Sequence, residues 1–159
     1  MAKIQIKRNV APAGLHNAVL GGVFDVGLQP GFKDQPARRQ HVYFFELESE
    51  FGAEYERRRM PCRLSDSLHP MSRLSSLVEA LKGSLSDEEM AANEFDPETL
   101  VGKPCTVQIE HYEAEDGTPR ARIANVFPHD PHNSVMKAEF VKSAIPDWVM
   151  QLREQALSD

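Results

Sequence analysis

Cysteine is scarce in this sequence, with Cys62 and Cys105 the only two among 159 residues. Two cysteines are too few for a disulfide framework, and no Cys-x-x-Cys pair or Cys/His zinc spacing occurs. Both lie in strand-like contexts, where a free cysteine behaves as a small apolar residue. We therefore expect reduced, buried thiols and no bound metal ion.

Long apolar runs are also missing. No stretch reaches the roughly 18 residues that a membrane span needs. The N-terminal sequence MAKIQIKRN has cations but lacks the apolar segment that follows them in a signal peptide. We therefore expect a cytoplasmic protein that makes no contact with a membrane.

Catalytic signatures are absent as well. The six histidines form no HExxH array, and Gly21-Gly22 lacks the Lys and Ser companions of a phosphate-binding loop. The segment His129-Asp130-Pro131-His132 is typical of a polar turn. Ser65, Asp66 and His69 are too close in sequence to indicate a catalytic triad. We therefore predict no enzymatic activity, no catalytic residues and no cofactor.

Charge is unevenly distributed along the chain. The formal net charge is −6, yet residues 1–63 hold ten Lys/Arg against seven Asp/Glu, and residues 64–100 hold two against eight. This asymmetry is what a locally basic groove on an acidic protein would produce. Ordinary solvated surface charge is the alternative.

The clearest structural pattern is a hairpin between Phe95 and Pro128. Apolar Val107 and Ile109 alternate with polar neighbours, which is the period of a strand with one wet face. Glu115-Asp116-Gly117 supplies the turn, because Gly adopts positive φ without steric cost. The returning strand continues through Ile123.

Three further strands are predicted upstream. The first runs from Leu15 to Leu28 and is expected to bend at Gly21-Gly22, since glycines inside a strand mark a bulge. The second covers His41 to Leu47 and is rich in aromatic residues. The third, Arg57 to Leu64, contains Pro61, which favours an edge position.

Three segments of the sequence are predicted to be helices. Apolar residues recur at helical spacing between Met71 and Lys82, and Gly83 is placed to end that helix. Its apolar face comprises Met71, Leu74, Leu77, Val78 and Leu81. The sequence Ser86-Asp87-Glu88-Glu89 is a capping box for a shorter helix. A last helix is predicted from Pro146 toward Leu157.

The element order, three strands, a helix and two strands, is that of the OB-fold. We predict a mainly β protein with helices, built as a five-stranded OB-fold-like Greek-key barrel with a helix between strands 3 and 4. A C-terminal helical tail follows. Residues 1–128 would form this domain, and residues 129–159 a linker and the C-terminal helix. SH3-like barrels and other α+β folds are the alternatives.

Four segments occur in the same order in a known family. They are VFDVGLQ, VYFFELE, RLSDSLHPMSRLSSLVEALKG and FDPETLVGKPC. Together, across about residues 13–128, they resemble a family of small phage and prophage proteins regarded as OB-fold single-stranded DNA-binding proteins. The tail ending Ala156-Leu157-Ser158-Asp159 departs from the acidic, Phe-terminated tail of bacterial housekeeping single-strand binders.

The resemblance implies a phage or mobile-element protein of DNA replication or recombination in a bacterial host. Its partner would be single-stranded DNA, bound without catalysis and with low sequence specificity. Replication or recombination proteins and a second copy of the chain are further candidate partners. An OB-like protein-interaction module that binds no nucleic acid is the alternative.

Single-strand binding needs cations for phosphates and aromatic faces for bases. In OB-folds strands 2 and 3 with their loops form the usual ligand face. One ring among Tyr43, Phe44 and Phe45 is expected to be exposed there. The predicted nucleic-acid-binding residues are Phe32, Lys33, Arg38, Arg39, Tyr43, Phe45, Arg57, Arg58, Arg59, Arg63, Arg120 and Arg122.

Overall fold

A computed structural model describes residues 11–31, 33–48, 59–83, 85–92, 94–138 and 145–158. The described chain is mainly β, with five strands and a few short helices. The strands are β1 Gly14–Gln29, β2 Arg38–Leu47, β3 Arg59–Ser65, β4 Pro104–Glu113 and β5 Pro119–Pro128. The helices are α1 Arg73–Lys82, α2 Asp87–Ala92 and α3 Asp147–Glu154, with a 3₁₀ turn at Pro97–Leu100.

The strands form one antiparallel open sheet in the order β3-β2-β1-β4-β5. The predicted order of three strands, a helix and two strands is confirmed, and β3, which contains Pro61, is an edge strand as predicted. The two edges approach each other beside α1, where residues of β3, α1 and β5 line a cavity of about 90 Å³. The Arg73 guanidinium crosses this gap and donates to the Ile123 carbonyl oxygen at 3.0 Å.

Strand β1 bends at the glycines, as its sequence predicts. Its register with β2 shifts between Leu20 and Gly22, so Gly21 is an extra residue in a bulge. The Glu46 carboxylate lies over Gly21, and a Cβ there would collide with it. Because of the bulge, Leu20 and Phe24 face opposite sides of the sheet although they are four positions apart, an even spacing that would otherwise put them on one side.

The main core lies between one face of the sheet and α1. Ser72 caps α1 by accepting a hydrogen bond from the Ser75 amide, and Gly83 ends it with φ of +82°. Its buried face is Leu74, Leu77, Val78 and Leu81, as predicted. Met71 was predicted on this face but is 87% exposed, because the helix begins only after it.

A second, smaller core lies on the opposite face of the sheet. It is formed by α3, whose Val149 is fully buried against β1 and β2. Three polar contacts fix the helix there: Arg153 Nε donates to the Asp25 carbonyl, Gln29 Nε2 to the Leu152 carbonyl, and the Leu157 amide to the Leu28 carbonyl, each at 2.8 Å. The predicted C-terminal helix is therefore present, and it packs against the sheet.

The predicted capping box and hairpin turn are both confirmed. The Ser86 amide donates to Glu89 Oε1 at 2.9 Å, and the Glu89 amide donates to Ser86 Oγ at 3.1 Å. The β4–β5 turn uses Gly117 at φ of +83°.

The two cores allow a test of the α1 placement. Leu77→Ala should lower the free energy of unfolding by about 2–5 kcal/mol, because Leu77 is 2% exposed and its removal leaves a cavity. Met71→Ala is the matched control and should change it by less than about 0.5 kcal/mol. Urea titration followed by circular dichroism measures both. Equal effects of the two substitutions would contradict the placement of α1.

Candidate nucleic-acid interface

Alternation along β3 puts its basic residues on one side. Met60, Cys62 and Leu64 enter the main core, so Arg59, Pro61, Arg63 and Ser65 face outward. The β2 residues on the same side of the sheet pair with them: Glu46 with Arg59, Phe44 with Pro61, Val42 with Arg63 and Gln40 with Ser65. Of these, Glu46, Phe44 and Val42 are buried. We call this outer surface of β2 and β3, which carries Arg38, Arg59 and Arg63, the arginine face.

One end of the arginine face is a polar cleft of about 410 Å³. It is lined on one side by Arg38, Gln40, Arg63 and Ser65, and on the other by Gln29, Pro30, Gly31, Gln35 and Pro36. None of the described residues that line it is acidic. Burial lowers the pKa of Arg63, whose Nε donates to Gln40 Oε1. The cleft therefore presents two guanidinium groups and several neutral polar groups.

The other end of the arginine face is aromatic. The Arg59 guanidinium lies 4.9 Å from the centre of the Phe44 ring, and Trp148 of α3 packs against the same ring at 5.7 Å between centroids. Trp148 keeps 40% of its surface exposed. It is thus the exposed aromatic ring beside the arginines, and it was not among the predicted site residues. The only features of the sequence that could have indicated Trp148 as a site residue are that it is the single tryptophan of the chain and that it lies on a predicted amphipathic helix.

The structure brings together only some of the predicted cations. Arg38, Arg59 and Arg63 share the arginine face. Lys33 is exposed in the β1–β2 loop with φ of +56°. Arg39 alternates with Arg38 and belongs to the opposite side of β2. Phe32, Arg57 and Arg58 lie outside the described residues.

The predicted aromatic contacts on β2 need correction. Tyr43 and Phe45 are both 0% exposed in the main core, and Phe44 on the other side is 5% exposed. The expectation that one of these rings is exposed is therefore wrong. The physical reason is that Tyr43 and Phe45 enter the main core, while Phe44 lies under α3 against Trp148. Neither Tyr43 nor Phe45 has a ring face available to a nucleobase.

Arg120 and Arg122 lie on β5, at the other edge of the sheet from β3. Both have acidic neighbours: Arg122 pairs with Glu110, and Arg120 Nη2 is 4.0 Å from Asp116 Oδ2. The Arg122 guanidinium also lies 5.2 Å from the Tyr112 ring centre. Each of the two therefore has an acidic side chain close by, unlike Arg38 and Arg63.

No protein-family model matches the chain, and no curated protein matches it either.

Within the described ranges, no helix is both long and apolar enough to cross a bilayer. The same residues contain no group of three or more His, Cys, Asp or Glu side chains arranged to hold a metal ion.

Acidic residues collect on another part of the surface. Glu88, Glu94 and Asp96, from α2 and the segment before the 3₁₀ turn, line a cleft together with His41. His41 Nδ1 lies 2.6 Å from Asp66 Oδ1. Burial disfavours the charged imidazole, but the hydrogen bond and charge of Asp66 outweigh burial and raise the pKa of His41.

This ion pair predicts a pH-dependent stability. Because the folded-state pKa of His41 is raised above 6.5, its contribution is complete below pH 6.5 and is lost as pH rises through the raised value. Asp66→Asn removes the partner. The stability difference between wild type and Asp66→Asn should therefore be larger at pH 6 than at pH 8.5, measured by urea unfolding. A difference that grows with pH would refute the assignment.

Proposed function

We propose that this protein is an OB-like single-stranded DNA-binding protein that acts without catalysis. One observation carries the proposal. Within the described chain Arg38 and Arg63 have no carboxylate partner, and both open into one cleft that lacks acidic side chains. Uncompensated guanidinium groups on a concave surface attract a polyanion, since a bound phosphate replaces the missing carboxylate.

The sheet order supports the OB-like part of the proposal. A barrel with the order β3-β2-β1-β4-β5 closes by bringing β3 to β5, and the helix between strands 3 and 4 then covers the gap. In this protein α1 lies against both edges, and Arg73 of α1 binds the β5 backbone. The arginine face would then be the ligand face that strands 2 and 3 form in OB-folds.

The proposed binding mechanism has two parts. Guanidinium groups along the arginine face neutralise phosphates, which fixes the strand but reads no sequence. The exposed ring of Trp148 offers a stacking surface that accepts any base. Low sequence specificity follows. A role in phage or mobile-element replication or recombination, in the cytoplasm of a bacterial host and beside other proteins of those processes, is part of the same proposal.

The arginines provide the first test. Arg38→Ala with Arg63→Ala should weaken binding to oligo-dT and to mixed-sequence single strands about equally. It should also reduce the slope of log affinity against log salt by about 2, because two phosphate contacts are lost. Fluorescence anisotropy across a salt series measures both quantities.

Arg120→Ala with Arg122→Ala is the contrasting pair, because it removes the same charge from two arginines that have acidic neighbours. It should leave the salt slope nearly unchanged. If that pair lowers the slope and the Arg38/Arg63 pair does not, the arginine face is not the path of the strand. If wild type binds no single strand at micromolar protein and low salt, the DNA-binding proposal fails.

Trp148 provides a second test that needs no label. As the only tryptophan in the chain, it dominates the intrinsic fluorescence. Single-stranded DNA should quench this emission saturably, because a base would stack on the exposed ring. Trp148→Phe should lose the signal but retain most of the affinity. Tight binding of oligo-dT with unchanged tryptophan emission would remove Trp148 from the interface.

The protein-interaction alternative is supported by a different surface. Leu15, Phe127 and Tyr112 are 67%, 42% and 40% exposed on the outer side of β1, β4 and β5. Exposed apolar side chains on one sheet face are typical of protein contacts. Loss of a protein partner on Leu15→Ser with Phe127→Ser, with wild-type DNA binding absent, would favour this alternative.

A further inference from the structure

The face of β1 and β2 beneath α3 carries two phenylalanine rings side by side. Phe24 of β1 and Phe44 of β2 are each 5% exposed, and their ring centres lie 5.6 Å apart at an interplanar angle of 72°. The Arg59 guanidinium lies over the Phe44 ring, at the border with the arginine face. Adjacent aromatic rings beside cations are what a single strand needs for stacking and phosphate contact. Without α3, these rings would therefore continue the arginine face across the sheet.

A small number of contacts hold α3 over these rings. Of its eight described residues, Val149 alone is buried, while Leu152 and the preceding Ile145 are partly buried against the same cluster. No side chain caps its N-terminus at Pro146. A helix of two turns is too short to be stable alone in water, so the conformation of α3 depends on its contacts with the sheet.

The anchoring of α3 is uneven along its length. Its three polar contacts with β1 involve Leu152, Arg153 and Leu157, which lie at the C-terminal end of the helix or beyond it. The first turn contacts the sheet through the Trp148 ring, which packs on Phe44 with 5.7 Å between centroids. This first turn lies beside the arginine face. The end of α3 that a bound strand meets is therefore the end without those polar anchors.

We infer that α3 is a displaceable cover that competes with single-stranded DNA for the rings of Phe24 and Phe44. With α3 docked, a strand reaches only the arginine face and the exposed side of Trp148. When the first turn of α3 lifts, both phenylalanine rings become accessible, and the path extends from β3 across β2 to β1. The inference rests on the proposed function, because single-stranded DNA is the competitor. Docking of α3 lowers the apparent affinity in proportion to the fraction of molecules whose rings are covered.

The test loosens α3 in the full chain through two different contacts. Val149→Ser places a hydroxyl in the apolar contact, and Leu157→Pro removes the amide that donates to the Leu28 carbonyl. Without DNA, each should shift the Trp148 emission to longer wavelength, because the indole leaves Phe44. Each should also tighten the binding of oligo-dT about tenfold, measured by competition anisotropy. Gln151→Ala is the matched control on the exposed side of α3 and should change neither quantity.

A substitution beneath α3 tests whether the rings take part. Phe24→Leu keeps an apolar side chain under the helix but offers no ring to a base. Combined with Val149→Ser, it should cancel most of the gain in affinity. In the otherwise wild-type chain it should leave the affinity nearly unchanged, because α3 covers Phe24 there. A gain that persists in full in the double variant would contradict competition for these rings.

The outcomes separate the inference from the proposed function. If wild type binds oligo-dT and both loosened variants shift the emission without binding more tightly, the inference is wrong and the DNA-binding proposal stands. The inference is also wrong if neither variant shifts the emission, because α3 then stays on the sheet. If neither wild type nor the loosened variants bind oligo-dT, the inference and the proposed function both fail.

Discussion

The bulge at Gly21 is the constraint on which the rest of the structure depends. An unbroken β1 would keep Leu20 and Phe24 on one face of the sheet, since side chains alternate with a period of two. The extra residue puts Leu20 into the main core and Phe24 under α3. One strand therefore serves two cores. The buried Glu46 carboxylate leaves no room for a side chain at the bulge, so glycine is required there.

Burial on both faces of β2 explains which site predictions succeeded. A strand with both faces covered exposes no aromatic ring to solvent, which is why Tyr43 and Phe45 cannot stack on bases. Coverage by α3 does not extend across β3, and the outward arginines there remain at the surface. The exposed aromatic ring beside the arginines therefore belongs to α3 and not to β2, because Trp148 of that helix is 40% exposed.

Local signals in the sequence predicted the elements, and nonlocal contacts decided the site. The capping box, the Gly117 turn and the bend at Gly21 each depend on a few neighbouring residues, so the sequence suffices for them. The docking of α3 joins residues separated by more than 100 positions, and no periodicity encodes it. The arginine cluster depends on both local pattern and nonlocal pairing. Alternation places Arg59 and Arg63 on one face, but only the register with β2 adds Arg38 and excludes Arg39.

Local compensation of charge matters more than net charge for the proposed activity. A chain with net charge −6 repels a polyanion at long range, but salt screens that repulsion beyond about 10 Å at 0.1 M. Within that distance the sign is set by neighbours: Arg122 faces Glu110, whereas the described lining of the Arg38 and Arg63 cleft has no acid. The acidic side chains of α2 and the 3₁₀ segment line a different cleft. The net charge of the chain therefore does not decide whether this one cleft could bind a phosphate.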